Sequence, residues 1–265
     1  MASRENSSYA QKSVFGRHIH LLDLVSKCPK PPTFAELQQA SGLPKATLHR
    51  FLHTLTNYGL LELNAQSRCY QLGMHLIELA SAAWRDHDLR RVASDELAKL
   101  RDLTGETVRL AIPAQQEILY IDQYEALNPM RLERHIGNKG PAYCSGTGKA
   151  YLAFLAPSVR ASLLAQTKLE PLTPRTLILE AALESDFEIS RARGFAIDDE
   201  EQFEGVRAIG VPILDQSGQP MAAISVTAPS YRVSRSELEA MAPEVIRTAE
   251  RIAKRYFFGA ARENQ

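Results

Sequence analysis

Cysteine is scarce in this chain, and no stretch of it is long and apolar enough to lie in a membrane. The three cysteines among 265 residues, Cys28, Cys69 and Cys144, are widely spaced and odd in number. They predict neither a disulfide framework nor a zinc site, and we expect no metal and no cofactor. No apolar run approaches the roughly 18 residues of a membrane span, and the polar first residues lack the apolar core of a signal peptide. These absences predict a cytoplasmic protein without a membrane partner.

Net charge is absent overall, but the charges are unevenly divided along the chain. Lysine plus arginine and aspartate plus glutamate both number 31. Residues 1–73 carry eight basic and four acidic side chains, whereas the remainder carries 23 basic and 27 acidic ones. This asymmetry indicates a part that binds a polyanion joined to a part that does not. The length and an apolar content of 45% predict two globular domains.

The first part of the chain has the element order of a winged helix-turn-helix. Apolar residues at helical spacing predict a helix from Val14 to Val25. Thr33 and Glu36 predict a capping box at the start of a short second helix. A tight break around Gly42 precedes a third helix, and two short strands joined by a polar turn follow it. The predicted divisions are a disordered arm over 1–12, the winged helix-turn-helix over 13–73 and a linker helix over 74–88.

The third helix has a polar face suited to double-stranded DNA. Its apolar residues, among them Leu48 and Leu52, form a stripe that would face the other two helices. Basic and hydroxyl side chains near its first turn can reach base edges or phosphates in a major groove. The alternative interpretation is that these residues form an ordinary solvated helix face. The preceding short helix, the turn and the hairpin favour the DNA-binding interpretation. The predicted DNA-binding residues are Lys45, Ala46, Thr47, His49, Arg50 and His53, with Arg68 on the hairpin, where an ordinary surface arginine is an equal alternative.

The second part, residues 89–265, is predicted to be an α+β domain, with an antiparallel sheet flanked by helices. Strands are predicted over residues 106–112, 117–124, 131–136, 207–214 and 221–228. Helices are predicted over 89–103, 145–155, 157–165 and 179–193, and one long helix over 234–257. The turn from Asp215 to Gly218 is typical of a hairpin.

Three segments of this part invite a catalytic interpretation, and none sustains it. The run from Ser145 to Lys149 lacks the first glycine and the final hydroxyl of a phosphate-binding loop. It leaves a helix N-terminus that favours an anion, or tight packing of a helix on a sheet. The acidic run from Asp198 to Glu201 is typical of a solvated turn or a helix start, and Cys144 has no base nearby in sequence. We expect no enzyme.

Taken together, these segments resemble the IclR family of bacterial transcriptional regulators, over roughly residues 14–256. The resemblance is carried by the run from Ser41 to Leu52 and by Gly194-Phe-Ala-Ile-Asp-Asp-Glu-Glu201. Gly205-Val-Arg207, the run from Val211 to Asp215 and the run from Ala222 to Thr227 complete it. Each motif alone is weak, whereas their order and intervals are specific. The resemblance implies a winged helix-turn-helix, a linker helix and a GAF-like effector-binding domain.

The resemblance also implies partners and an effector site. Family members bind palindromic operator DNA as homodimers or dimers of dimers and respond to small carboxylate-bearing metabolites. We therefore expect a regulator, more often a repressor, of a catabolic operon, with a sugar acid as the first candidate effector. An activator responding to an aromatic or keto acid is the alternative; an enzyme and a constitutive architectural protein are more remote ones. The effector residues implied by position are Leu132, Cys144, Gly146, Thr147, Asp198, Val206, Ala208, Ser225 and Thr227.

Overall fold

The computed structural model describes residues 13–85, 89–127 and 136–259. The chain forms two compact units, divided between residues 87 and 88. The predicted arm over 1–12, the effector residue Leu132 and all but the last residue of the strand predicted over 131–136 lie outside the described residues.

The first unit contains four helices and a hairpin among its described residues. The helices are α1 (Val14–Lys27), α2 (Phe34–Ser41), α3 (Lys45–Asn57) and α4 (Met74–Arg85), and the hairpin strands are β1 (Leu61–Leu63) and β2 (Tyr70–Leu72). The predicted capping box is confirmed, because the Thr33 amide donates to Glu36 Oε2 at 2.7 Å and the Glu36 amide donates to Thr33 Oγ1 at 3.4 Å. Gly42 ends α2 in the left-handed region at φ 64°.

The core of the first unit is the apolar stripe of α3 packed on α1 and α2. Phe51 and Leu52 on α3 are buried together with Leu21 of α1 and Leu37 of α2. The strand β1 adds Leu61 to the same cluster. Because the apolar stripe of α3 points inward, its polar face is directed to solvent.

The second unit has an antiparallel sheet with helices on it. Its helices are α5 (Leu89–Thr104), α6 (Gly146–Phe154), α7 (Pro157–Ala165), α8 (Glu180–Arg193), α9 (Arg235–Ala240) and α10 (Ala242–Gly259). Its strands are β3 (Thr107–Ala114), β4 (Glu117–Tyr124), β5 (Lys139–Pro141), β6 (Ala196–Asp199), β7 (Val206–Leu214) and β8 (Pro220–Pro229). The strand order is β5-β4-β3-β8-β7-β6, and each neighbouring pair is antiparallel.

The neighbouring strands β7 and β8 are covered on both faces of the sheet. Six consecutive residues of β7 and nine of the ten residues of β8 are buried, without the alternation of a half-solvated strand. Gly210 of β7 faces α6, whereas its neighbour Val211 lies beside Ile246 of α10. The sheet is therefore a middle layer, with α6 on one face and α10 on the other.

Three local predictions for this unit differ from the structure. Ile136, the one described residue of the strand predicted over 131–136, lies in a turn, and the unpredicted β5 follows it. The acidic run is not a solvated turn at its start, because Asp198 belongs to β6 and is buried. The predicted long C-terminal helix is interrupted at Met241, since Pro243 has no amide hydrogen to donate within a continuous helix.

A close approach between α6 and β7 allows only glycine at Gly210. A Cβ atom at this position would lie 1.9 Å from the carbonyl oxygen of Gly146 and 2.9 Å from the Thr147 amide nitrogen. Real Cβ atoms do not approach backbone so closely, so any side chain here would push the first turn of α6 off the sheet. The start of α6 is thus fixed by backbone contact.

Gly210→Ala should therefore lower the free energy of unfolding of the second unit by roughly 1–3 kcal/mol or more, the range found for overpacked cores. Urea denaturation of the full chain, followed by far-UV circular dichroism, measures the change. Gly218→Ala is the control, because Gly218 has φ 80° with no atom within 4 Å of a Cβ and adds backbone strain alone. An equal or smaller cost for Gly210→Ala would contradict the close-contact argument.

Candidate functional site

The exposed face of α3 carries most of the residues predicted to bind DNA. Lys45, Ala46, His49, Arg50 and His53 are exposed, whereas Thr47 is half-buried. The Arg50 guanidinium carbon lies 5.7 Å from the centroid of the Phe51 ring, and His53 Nδ1 lies 3.2 Å from Asn57 Nδ2. No acidic side chain lies in the first turn of the helix. The face is therefore basic and polar along its whole length.

The first turn of α3 has no side-chain cap. Its N-cap is Pro44, which makes no side-chain hydrogen bond, in contrast to the capped α1 and α2. The Leu48 amide donates to the Pro44 carbonyl oxygen at 3.0 Å, so the amides preceding it have no partner within the helix. Amides at a helix start, with the helix dipole behind them, favour a phosphate or another anion.

Arg68 projects from the hairpin turn. It is exposed and has a left-handed backbone at φ 57°. Its amide donates to the Asn64 carbonyl oxygen at 2.9 Å, and the Asn64 side chain accepts from the amides of Gln66 and Ser67. The turn thus holds Arg68 at the tip of the hairpin, apart from the α3 residues in sequence but within the same compact unit.

The second unit contains a cavity of about 140 Å³ between the sheet and the N-terminus of α6. Seven of the nine predicted effector residues line it. These are Gly146, Thr147, Asp198, Val206, Ala208, Ser225 and Thr227. The sheet register explains this meeting, since Asp198, Ala208 and Thr227 occupy paired positions on β6, β7 and β8. Residues distant in sequence are thereby brought to one face of the sheet.

Cys144 does not line the cavity, although the sequence predicted it there. The side chain is fully buried in an apolar cluster with Phe187 and Leu183. Burial raises the pKa of this thiol well above its ordinary value, and the nearby carboxylates of Asp198 and Glu201 raise it further. A thiol held in this way stays protonated at neutral pH, as expected for a small apolar core residue.

The cavity has four lining residues that sequence reasoning missed: Arg109, Tyr120, Gln202 and Phe203. Arg109 is on β3 and Tyr120 on β4, where neither belongs to a motif. The available signal was alternation on β3, because Arg109 pairs with Ser225 of β8 and so shares its face. Gln202 and Phe203 follow the acidic run and approach the cavity through the turn after β6.

The start of α6 forms one wall of the cavity. Ser145 caps the helix, accepting from the Gly148 amide at 3.2 Å and donating to the Pro141 carbonyl oxygen at 2.8 Å. Gly146 lies against β7, where a Cβ on it would meet the Cβ of Ala208 at 3.0 Å. The tight-packing alternative is therefore confirmed, and the same helix start borders the cavity, where anion binding stays a prediction.

Asp198 is a buried carboxyl group on the cavity wall, with 3% of its surface exposed. Its Oδ1 accepts from the Glu201 amide at 2.8 Å and from the Gln202 amide at 3.3 Å. Burial, reinforced by the negative charge of Glu201, raises the pKa of Asp198 to about 7, against the opposing effect of these hydrogen bonds and of Lys149. Asp198 is thus close to half-protonated at neutral pH.

Lys149 links α6 to the acidic segment from inside the protein. It is fully buried, and its Nζ donates to Glu201 Oε1 and to the Ile197 carbonyl oxygen, the latter at 2.6 Å. Asp186 of α8 provides a second carboxylate, with Oδ2 3.0 Å from Nζ. Burial raises the pKa of Glu201, and the charge of Lys149 opposes that rise. The cluster fixes the acidic segment on α6 without entering the cavity.

Two buried polar groups on the cavity wall have no hydrogen-bond partner among the described residues. They are Thr147 Oγ1 and Gln202 Nε2. Thr147 is 1% exposed and Gln202 7% exposed. Buried donors are almost always paired in folded proteins, because an unpaired one costs on the order of 1–3 kcal/mol. Both atoms belong to residues that line the cavity, and unpaired donors on lining residues favour a polar ligand for it.

Family models match both parts of the chain. The model described as "Bacterial transcriptional regulator IclR C-terminal" matches residues 81–254, and the model of the "IclR helix-turn-helix domain" matches residues 16–65. The chain belongs to the IclR family. The regulator BhcR of Paracoccus denitrificans is 34% identical over 89% of this chain and 85% of its own length. The transcriptional repressor IclR of Escherichia coli K12 is 31% identical over 91% of this chain and 88% of its own length.

A solved IclR homologue has the same fold. The Microbacterium hydrocarbonoxydans protein, crystallised with 4-hydroxybenzoate, superimposes with a TM-score of 0.80 at 23% identity, over 91% of this chain and 98% of that one. As an IclR-family protein, the chain is a DNA-binding transcriptional regulator and not an enzyme. Within the described residues, no group of three acidic, histidine or cysteine side chains could hold a metal ion, and no helix is long and apolar enough to cross a membrane.

Proposed function

We propose that this protein is an effector-responsive regulator, acting as a repressor of a catabolic operon, with α3 as its DNA-recognition helix. The cavity in the second unit binds a small carboxylate-bearing metabolite that changes operator affinity. The proposed effector binding rests on two buried donors without a hydrogen-bond partner among the described residues, Thr147 Oγ1 and Gln202 Nε2. Both belong to residues that line the cavity. The proposed DNA binding rests on the first turn of α3, which is exposed, carries a basic side chain and has no side-chain cap.

The proposed DNA contacts follow from side-chain chemistry along α3. Arg50 and Lys45 can donate to guanine edges or phosphate oxygens, whereas Thr47 and Ala46 can contact a phosphate or a thymine methyl group. His49 and His53 extend the same exposed face. We assign Arg68 to a phosphate or minor-groove contact as the tip of the wing.

A palindromic operator bound by a homodimer or by a dimer of dimers fits the surface of the first unit. Large apolar side chains are exposed there: Phe15 is 75% exposed, Val14 64%, Met74 61% and Ile77 57%. We propose that a second copy of the chain packs against these side chains, because exposed apolar surface of this kind marks association sites in soluble proteins. Two copies related by a twofold axis would read two half-sites of matching symmetry.

The proposed effector site combines three kinds of donor. The backbone amides at the start of α6 face the carboxylate, as helix starts favour anions. Ser225 and Thr227 lie two residues apart on β8, so both hydroxyls are on the cavity side of the strand. Coupling to DNA is by linkage, in which the effector binds one conformation of the protein more tightly than another and shifts operator affinity accordingly.

An aromatic acid is a second candidate effector, and in that case activation is the alternative mode of regulation. The observation that favours it is the pair of aromatic rings, Tyr120 and Phe203, on the cavity wall. A thermal-shift screen of sugar, keto and aromatic acids, followed by operator gel shifts with each hit, distinguishes the candidates. Release of DNA by a hit supports repression, and tighter binding supports activation.

Arg50→Ala should weaken binding to an operator, selected from a random duplex library, by roughly 10- to 100-fold, because one base-edge contact contributes about 1–3 kcal/mol. Fluorescence anisotropy at fixed salt measures the affinity. Arg247→Ala is the control, since Arg247 is an exposed arginine of the second unit paired with Glu244 three residues before it. Unchanged affinity for Arg50→Ala would refute the recognition-helix assignment.

Lys45→Ala should lower affinity for operator and for unrelated duplexes alike, because a phosphate contact is independent of sequence. It should also reduce the slope of log affinity against log salt by about one, as one fewer counterion is released. Titration of both duplexes at several salt concentrations measures the slope. A loss restricted to the operator would instead assign Lys45 to a base.

Affinity for an anionic effector should fall as pH rises from about 6 to 8, because ionised Asp198 repels the ligand and protonated Asp198 can donate to it. The groups around Asp198 are Glu201, Lys149 and, across the cavity, Arg109. Asp198→Asn is neutral throughout and should flatten the profile, as measured by isothermal titration calorimetry. An equally steep profile in Asp198→Asn would assign the pH dependence to another group.

A further inference from the structure

The effector cavity has electropositive groups at two places, separated by a strand. At one side, the first turn of α6 lies over β7, with Gly146 packed on Ala208 and Gly210. At the other side, Arg109 extends from β3. The strand β8 runs between them in the sheet, so the backbones of β3 and β7 are separated by about 10 Å, twice the strand spacing.

Arg109 is positioned by its neighbours. It is 4% exposed, its Nε donates to Gln123 Oε1 at 2.9 Å, and its guanidinium carbon lies 5.5 Å from the centroid of the Tyr120 ring. A guanidinium group oriented by a hydrogen bond and an aromatic face retains the planar geometry that matches a carboxylate. Arg109 also lines the cavity, so its side chain borders the space that a ligand would occupy.

The surface between the two positive ends is rich in hydrogen-bond donors. Ser225 and Thr227 line it from β8, and Thr147 and Gln202, whose Oγ1 and Nε2 atoms have no hydrogen-bond partner among the described residues, line it from α6 and from the turn after β6. Asp198 is the one acidic side chain among the described lining residues. Such a wall suits a ligand that carries oxygen atoms along its length, since each donor then finds an acceptor.

The size of the cavity limits the ligand to a short chain. Its volume of about 140 Å³ is close to the roughly 150 Å³ of a cavity that holds one benzene molecule. Dicarboxylates of about three to five carbon atoms are among the smallest ligands with two anionic ends, and we take them as the matching class.

We propose that the effector is a short dicarboxylate, with one carboxylate at the start of α6 and the other on the guanidinium group of Arg109. This inference rests on the proposed function, because it names the chemical class of the metabolite that the cavity binds. Arg109 is then the residue that determines specificity, distinguishing a diacid from the monoacid of equal length. Tyr120 and Gln123 are positioning residues, since they act by orienting the guanidinium group.

The test begins with the wild-type full-length protein and matched pairs of acids. Malonate, succinate, malate and glutarate are titrated by calorimetry beside propionate, butyrate, 3-hydroxybutyrate and valerate, and 4-hydroxybenzoate is included as an aromatic acid. We expect at least one diacid to bind with a dissociation constant at least about tenfold below that of its monoacid. The same diacid should change operator affinity in a gel shift.

Arg109→Gln should remove this preference without unfolding the protein. Diacid affinity should fall roughly 10- to 100-fold, as for loss of a charge-assisted contact, while monoacid affinity changes by less than about threefold. Arg109→Lys, which keeps the charge but not the planar fork, should give an intermediate loss. Arg247→Gln on α10 controls for removal of an arginine, and thermal unfolding of each variant without ligand controls for folding.

The outcomes separate this inference from the function on which it rests. One outcome is that a monoacid or the aromatic acid binds as tightly as every diacid and alters operator binding. In that case the dicarboxylate assignment is wrong, whereas the proposed effector-responsive function is retained. The same conclusion follows if Arg109→Gln weakens diacid and monoacid equally. If no acid binds and none alters operator affinity, the effector-responsive function itself fails.

Discussion

The buried charge of Lys149 is the interaction on which the effector unit depends. One ammonium group, fully removed from solvent, joins α6 to a carbonyl oxygen of β6, to Glu201 and to Asp186 of α8. Taking such charges out of water is costly, and the cost is offset only while every partner stays in place. The cluster therefore holds three elements in one arrangement. A loss of any partner would leave an uncompensated charge behind the cavity wall, instead of a small local defect.

The same cluster determines what the cavity presents. The backbone amides of Glu201 and Gln202 donate to Asp198, so the turn that Lys149 holds also orients the acidic wall residue. Thr173 and Thr176 donate to the carbonyl oxygens of this turn, at 2.7 Å to Glu200 and 2.6 Å to Glu201. The turn is thus fixed from both sides, and the side chains that follow it are directed into the cavity by a rigid backbone.

Local signals in the sequence were sufficient for most elements and for the first unit. The capping box at Thr33 and the apolar stripe of α3 are local patterns, and the structure confirms both. The acidic run was misread because Asp198 belongs to β6, where pairing with Ala208 of β7 places it in the buried sheet, and because Lys149 lies 52 residues from its partner Glu201. Arg109 and Tyr120 were missed for a similar reason, since sheet register alone brings them to the cavity. The interruption at Pro243 was readable and was overlooked.

The contact between Gly210 and the carbonyl oxygen of Gly146 separates a main-chain feature that substitution cannot easily change from the side chains of the cavity wall, which it can. The first turn of α6, which borders the cavity at Gly146, is main chain pressed against the main chain of β7, so substitution of Gly210 damages the fold before it changes any preference. The remaining walls are side chains on strands whose backbone is unaffected by their identity, such as Arg109, Tyr120 and Ala208. Proteins with this fold could acquire a new effector by substitution of a few wall residues. The start of α6 would still bind one end of each effector.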